Sequence, residues 1–249
     1  MAGVAVEVWR IALDAMPPLE DCELAPLDAA ERARRDSFLD AAAARRFVLC
    51  RLALRCLLAA RGGLSAQAVP IALSAQGKPY AAGSGLPWFN LSHAARVAVV
   101  ALCDDLEVGI DVEPCASFVD TARLHAAVCS PAEQDWLKRH PATADADFGR
   151  LWTRKESLLK ALGTGFAISP TALDLADAFR ARDGQWQAPR RPRESPQALA
   201  WRDLPPIDAH VGTVSVRTPT ASASARPTLH LRDFDPAWLC RGRAAMPGQ

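Results

Sequence analysis

The chain has 249 residues and a mass of 26.7 kDa, with 50% hydrophobic and 23% charged residues, values ordinary for a globular protein of one to two domains. A formal net charge of +1 gives no field that would drive general binding to nucleic acid or a membrane surface, and no apolar stretch approaches the ~20 residues needed to span a bilayer. The cysteines, at 22, 50, 56, 103, 115, 129 and 240, are odd in number and lack C-x-x-C spacing, which argues against a disulfide framework or zinc site and for a reducing, cytoplasmic setting. Met1 to Leu13 has no basic segment leading into a long apolar run, so no signal peptide is expected.

Val4 to Leu13 alternates weakly and reads as an opening strand, broken by Pro17 and Pro18. Asp28, with Glu31 three residues on, starts a helix to about Phe38. A second helix runs from Ala41 to Ala60 and stops at Gly62-Gly63; it is apolar around most of its circumference, apart from Arg51 and Arg55, and is expected in the core. Residues 69–74 form a short strand before the Gly77-Lys78-Pro79 turn, and Trp88 to Leu91 a strand ending at Ser92-His93. The β-rich runs Arg96–Leu102 and Glu107–Val112 join through Asp104-Asp105, as a hairpin or as a crossing between domains. Ser130-Pro131-Ala132-Glu133 opens a helix to about Arg139, Pro141 to Asp147 reads as a loop, and a helix follows from Phe148 to Leu162, stopped by Gly163. Residues 185–206, with prolines at 189, 192, 196, 205 and 206, read as an irregular surface insertion. His210 to Thr218 alternates as a strand, 228–232 forms a last one, and 241–249 reads as a frayed end.

Two segments carry chemistry. In Val108-Gly109-Ile110-Asp111-Val112-Glu113 the strand period of two sets Asp111 and Glu113 on one face. In Trp152-Thr153-Arg154-Lys155-Glu156-Ser157-Leu158-Leu159-Lys160 the helix sets Glu156 and Lys160 one turn apart. Alone, the first is equally a solvated edge strand, and the second an ordinary surface ion pair. Together, three carboxylates and an ammonium can converge from two rigid elements. Hard oxygen ligands suit Mg²⁺, with Mn²⁺ as a substitute, and the lysine supplies a point charge for a phosphate oxygen. Phe148, Leu151, Trp152, Leu158, Leu159 and Leu162 form an apolar stripe. Trp152 is expected to pack there and to brace Glu156. Lys155 projects into the same stripe, so it is expected to be buried against a carboxylate in a structural role. Ser92-His93 is not a serine nucleophile, because no G-x-S-x-G elbow surrounds it. The histidines at 125, 140, 210 and 230 carry no pattern.

Gly109-Ile110-Asp111-Val112-Glu113 and Trp152-x-x-Lys155-Glu156-Ser157-x-x-Lys160, preceded by Gly77-Lys78-Pro79-Tyr80 and Phe89-Asn90-Leu91-Ser92-His93, resemble the 4′-phosphopantetheinyl transferases of the surfactin-synthetase-activating (Sfp-like) type. The resemblance covers roughly residues 30 to 170. It implies an α/β (α+β) fold of two similar halves related by a pseudo-twofold, 1–104 on the coenzyme A side and 105–249 with the metal and catalytic helix, and a site at their interface. It implies transfer of phosphopantetheine from coenzyme A to a serine of an acyl, polyketide or peptidyl carrier protein, with release of adenosine 3′,5′-bisphosphate. Asp111, Glu113 and Glu156 would hold Mg²⁺, and Glu156 would also take the serine proton. Lys160 and His93 would stabilise the transferring phosphoryl group. Ser92, His93, Lys160, Gly77, Lys78, Pro79 and Arg46, with Arg32 and Arg35 less clearly, would meet coenzyme A. A monomer with no nucleic-acid or membrane partner is expected. The alternatives are a metal-dependent phosphodiesterase or nuclease, disfavoured by the neutral charge and the lack of interleaved aromatic and basic residues, and a non-catalytic carrier-binding protein.

Overall fold

The structure, a computed structural model, describes residues 3–19, 24–164, 168–180, 184–189, 197–219 and 226–240. The N-terminal elements are β1 (Ala5–Ala12), α1 (Ala29–Asp36), α2 (Ala41–Gly62), β2 (Ile71–Leu73), β3 (Pro79–Ala81), β4 (Trp88–Ala94) and β5 (Val97–Cys103). Then come β6 (Glu107–Pro114), α3 (His125–Val128), α4 (Pro131–Arg139), α5 (Ala144–Leu162), β7 (Gln197–Asp203), β8 (His210–Pro219), β9 (Thr228–Asp233) and α6 (Ala237–Cys240). A four-stranded sheet has the order β4-β5-β1-β9, a three-stranded sheet the order β6-β8-β7, and β2-β3 is a separate pair. The result is the mixed α/β fold expected. No helix among the described residues is long and apolar enough to cross a membrane.

The layers follow from strand alternation. One face of the four-stranded sheet, with Trp9, Ile11, Val100 and Leu102, packs on Leu54, Leu57 and Leu58 of α2. The other, with Val6, Val8, Val97 and Val99, packs on Ile110, Val112, Val214 and Val216 of the three-stranded sheet. Helix α5 covers that second sheet's outer face. Asp104-Asp105 is therefore a crossing between sheets, since β5 and β6 belong to different ones. The C-terminal strand β9 returns to pair in parallel with β1, so residues 228–233 lie with the first sheet, outside the half beginning at 105 to which the sequence assigned them.

Three local expectations change. Helix α5 starts at Ala144, one turn before Phe148, because Asp145 and Asp147 place negative charge at the positive end of the helix dipole. Strand β4 continues through Ser92 and His93 to Ala94, paired along its length with β5. The described residues of 185–206 are not a surface insertion: Gln197–Asp203 is strand β7 on β8, and Trp186 and Trp201 are buried. Pairing with residues 213–219 of β8 outweighs the proline content, and Pro189, Pro205 and Pro206 fall outside the strand. Pro192, Pro196, the basic residues 190, 191 and 193, and the C-terminal 241–249 lie outside the described residues.

A row of small residues, Gly149, Thr153, Ser157 and Ala161, at i+4 spacing lets α5 approach the sheet. Thr153 Oγ1 meets Thr213 Oγ1 at 3.1 Å, and Ser157 Oγ meets Ser215 Oγ at 2.7 Å. The closest approach is at Gly109, where any Cβ would overlap the carbonyl oxygen of Ser157 and the amide nitrogen of Ala161. Strand backbone lies here directly on helix backbone.

Cations buried in these layers are paired. Lys155, 1% exposed, donates to Glu133 Oε2 at 2.6 Å and to the carbonyls of Val128 and Pro170 at 2.8 and 2.9 Å. Glu133 is the carboxylate the apolar stripe demanded. It also accepts the N–H groups of Ser130 and Leu175, at 2.6 and 2.7 Å. Arg55, equally buried, bonds Glu31 at 2.7 Å and Asp28 at 2.8 Å, the two residues of the α1 capping box.

Two outcomes are expected. Glu133→Ala strands the Lys155 ammonium in the core and should lower unfolding free energy by about 3–5 kcal/mol, whereas the double change Glu133→Leu, Lys155→Met should recover most of that loss. Chemical denaturation of the three proteins measures both. Gly109→Ala must push α5 off β6 and should cost about 1–3 kcal/mol by the same measurement.

Candidate active site

Because Gly109 brings β6 against α5, the strand face carrying Gly109, Asp111 and Glu113 looks onto the helix edge carrying Glu156 and Lys160. Asp111 is 3% exposed. Its Oδ1 accepts from Lys160 Nζ at 2.6 Å and from Ser92 Oγ at 3.0 Å. Its Oδ2 is buried and has no hydrogen-bond partner, a costly state for a carboxylate oxygen. Lys160 Nζ also reaches Ser92 Oγ at 3.3 Å. Two elements of the second sheet's half and one strand of the first thus meet at a single carboxylate.

Glu113 and Glu156 are half-buried beside it. Burial raises the Glu113 carboxyl above the usual range, and the negative charges of Asp111 and Glu156 raise it further; the Lys160 ammonium and a hydrogen bond from Trp152 act the other way. Burial likewise raises Glu156, with Asp111 adding to it and Lys160 opposing. Both glutamates therefore sense the charge of Asp111, as expected where negative charge is held in a low-dielectric place. Trp152, expected beside Glu156 from its helical spacing, acts on Glu113.

The three carboxylates do not form a closed ligand set. Among the described residues no group of three or more His, Cys, Asp and Glu side chains is close enough to hold a metal ion. At Asp111 the Lys160 ammonium stands beside Oδ1, at 2.6 Å.

The remaining predicted residues divide. Ser92 is 8% exposed, and its hydroxyl is engaged by Asp111, Lys160 and the Val112 N–H, so it faces the carboxylate and not open solvent. His93, the next residue, lies on the opposite face of β4. Its surroundings desolvate it, and the charges of Arg46 and Lys160 add to that, so its imidazole titrates below the usual range and is neutral at pH 7. Arg46 on α2 is half-exposed and only loosely held by Asp40, at 3.7 Å. Gly77 adopts φ +82° in the turn that closes β2 on β3, and Pro79 begins β3 opposite Leu73.

Lys78 is not brought to the carboxylates. Its ammonium donates to the carbonyls of Val108 and Ala161 at 3.2 and 3.1 Å, with Glu107 at 3.6 Å, which ties the turn to the start of β6 and the end of α5. Arg32 donates to the Ala25 carbonyl at 3.1 Å and Arg35 to Asp36 at 2.7 Å, both on α1. The residue that sequence reasoning left without a role is Asn90, whose Oδ1 accepts the Ile110 N–H at 2.9 Å. Its sequence signal was a polar residue two before Ser92, hence on the same strand face.

Comparisons with known proteins agree with this arrangement. Residues 107–214, from the first residue of β6 to the middle of β8, match the family described as the 4′-phosphopantetheinyl transferase superfamily. The 4′-phosphopantetheinyl transferase HetI of Nostoc sp. is 32% identical over 218 residues, which is 85% of this chain and 87% of that protein. A 4′-phosphopantetheinyl transferase of Bacillus subtilis is 30% identical over 151 residues, 60% of this chain and 66% of that one. The 4′-phosphopantetheinyl transferase psf-1 of Bacillus pumilus is 28% identical over 192 residues, 77% of this chain and 79% of that one. The family match contains Asp111, Glu113, Glu156 and Lys160, and the similarity to HetI extends over most of both chains. On these grounds the chain belongs to the 4′-phosphopantetheinyl transferase superfamily.

Proposed function

We propose that this enzyme transfers the 4′-phosphopantetheine group of coenzyme A to a serine of a carrier protein, with Mg²⁺ as its ion and Mn²⁺ as a substitute. The observation that carries the reading is Asp111, buried with Oδ2 unpaired and ringed by Glu113, Glu156 and Lys160. An orphaned carboxylate oxygen beside two carboxylates of raised affinity for protons fits a divalent cation. Asp111, Glu113 and Glu156 would hold it. When bound, such an ion neutralises charge on the pyrophosphate and on the leaving group.

The chain's own side chains account for the rest. The serine oxygen attacks the phosphorus that carries the pantetheine arm. The bond from that phosphorus to the bridging oxygen breaks, and adenosine 3′,5′-bisphosphate leaves. Glu156, whose burial raises its affinity for a proton, takes the serine proton, directly or through water. Lys160 transfers its charge from Asp111 to an oxygen of the phosphoryl group. His93, neutral at pH 7, offers an N–H to the pyrophosphate without adding a second cation. Arg46 meets the 3′-phosphate, and the backbone of the Gly77-Lys78-Pro79 turn lies along the nucleotide. The nucleophile comes from the carrier. A monomer is the reading carried from the resemblance, and the free cysteines at 50, 56, 103, 115 and 129 support a cytoplasmic setting. Each sheet carries one long helix on its outer face, which supports reading the two as halves related by a pseudo-twofold.

Two measurements test the reading. Mass spectrometry of an apo carrier protein incubated with coenzyme A and Mg²⁺ should show addition of one phosphopantetheine, abolished by excess chelator; Asp111→Asn should slow it by about a hundredfold or more. Full activity in chelator would remove the metal. Calorimetry should show coenzyme A binding about ten- to a hundredfold tighter than its 3′-dephospho form, the worth of one charge-assisted contact. Arg46→Ala should erase that difference, and equal affinities on the wild type would remove Arg46 from the site.

A further inference from the structure

Strands β4 and β6 are the outer strands of their sheets. Each therefore brings a row of backbone groups to the place where the sheets meet, with no further strand to pair them. Alternate residues of β6 bond β8, and the N–H groups of Ile110 and Val112 point the other way. Side chains of β4 meet them in place of a strand. Asn90 Oδ1 accepts from Ile110 at 2.9 Å and Ser92 Oγ from Val112 at 3.4 Å. Both side chains are 8% exposed, so water does not compete for these amides. The two bonds flank Asp111 in sequence and leave it facing Lys160.

The two anchors are unequal. The Ser92 hydroxyl is shared among Val112, Asp111 and Lys160, and its bond to the backbone is the longer. Asn90 holds the shorter one, to backbone. We propose that Asn90 is a positioning residue for phosphopantetheine transfer: its amide oxygen fixes β6 against β4 in the register that sets Asp111 against Ser92 and Lys160. The proposal rests on the transferase reading above. A slip of one residue would carry Asp111 to the opposite face of β6 and bring Ile110 or Val112 into its place. The same strand, β4, presents His93 on its other face toward Arg46. Asn90 thus aligns the side chains read as holding coenzyme A with those read as performing the transfer, while acting only through the β6 backbone.

The test compares Asn90→Ala with Asn90→Asp, which keeps an oxygen where Oδ1 stands. In Asn90→Ala, kcat should fall by about ten- to a hundredfold, as for other residues that orient a metal-site carboxylate, and KM for coenzyme A should stay within about twofold. In the metal-free protein the Ile110 amide should exchange its hydrogen faster in Asn90→Ala, and Asn90→Asp should restore both exchange protection and kcat. If Asn90→Ala does not fold, Asn90→Val, which has no acceptor for the same amide, carries the same expectations. An unchanged kcat with a deprotected Ile110 amide would overturn the proposal, and so would a loss confined to KM for coenzyme A. Unchanged Ile110 exchange would remove this role alone, whereas a wild type without transfer would remove the transferase reading and this role with it.

Discussion

The contact between the backbones of β6 and α5 at Gly109 is the constraint on which the site depends. A helix normally keeps its distance from a strand because side chains stand between them. Here Gly109 on one side, and Ser157 and Ala161 on the other, remove that spacer. The approach sets the edge of α5 that bears Glu156 and Lys160 beside Asp111 and Glu113. It also draws Lys160 within 2.6 Å of Asp111. The row Gly149, Thr153, Ser157 and Ala161 extends the approach along the helix, and hydroxyl pairs with Thr213 and Ser215 hold the layers together where apolar side chains would be too large.

That closeness has an electrostatic consequence. Three carboxylates share a poorly hydrated space with one ammonium, and two of them bind protons more readily than an exposed carboxylate does. Charges elsewhere in the layers meet a different fate. Arg55, Lys155 and Arg154 are each buried with carboxylate partners, Arg154 with Asp203 at 2.6 Å and over the Trp201 ring at 4.4 Å. The interior therefore tolerates cations in balanced groups, and the imbalance is confined to the place where β4, β6 and α5 meet. An unbalanced, desolvated group of carboxylates is where a cation or a proton can act.

Much of this was legible in the sequence. Strand alternation put Asp111 and Glu113 on one face, helical spacing put Glu156 and Lys160 one turn apart, and an ammonium in an apolar stripe announced a buried carboxylate for Lys155. What misled were segments whose composition and surroundings disagree. Prolines between 189 and 206 hid β7, because a strand is decided by the partner it pairs with, here β8, the next strand along the chain. Trp152 was placed beside Glu156 by i+4 spacing, and its indole also acts on Glu113, on another element. Lys78, read with the nucleotide from its motif, also has an engagement that the sequence did not announce, to carbonyls of β6 and α5.

The sequence by itself determined the local geometry: which residues alternate, which lie one turn apart, where the capping boxes at Asp28 and Ser130 start helices, and which residue types could form a phosphate-handling site. These depend on neighbours within a few positions, whose spacing covalent geometry fixes. Only the tertiary structure decided which carboxylate receives Lys160, that Ser92 turns to Asp111 and His93 away from it, that Asn90 closes the open edge of β6, and that β9 returns to the first sheet. Each of those depends on which distant segments come together as the two sheets meet. That meeting is set by the burial of both sheet faces and by the satisfaction of unpaired backbone amides, quantities that no single segment carries.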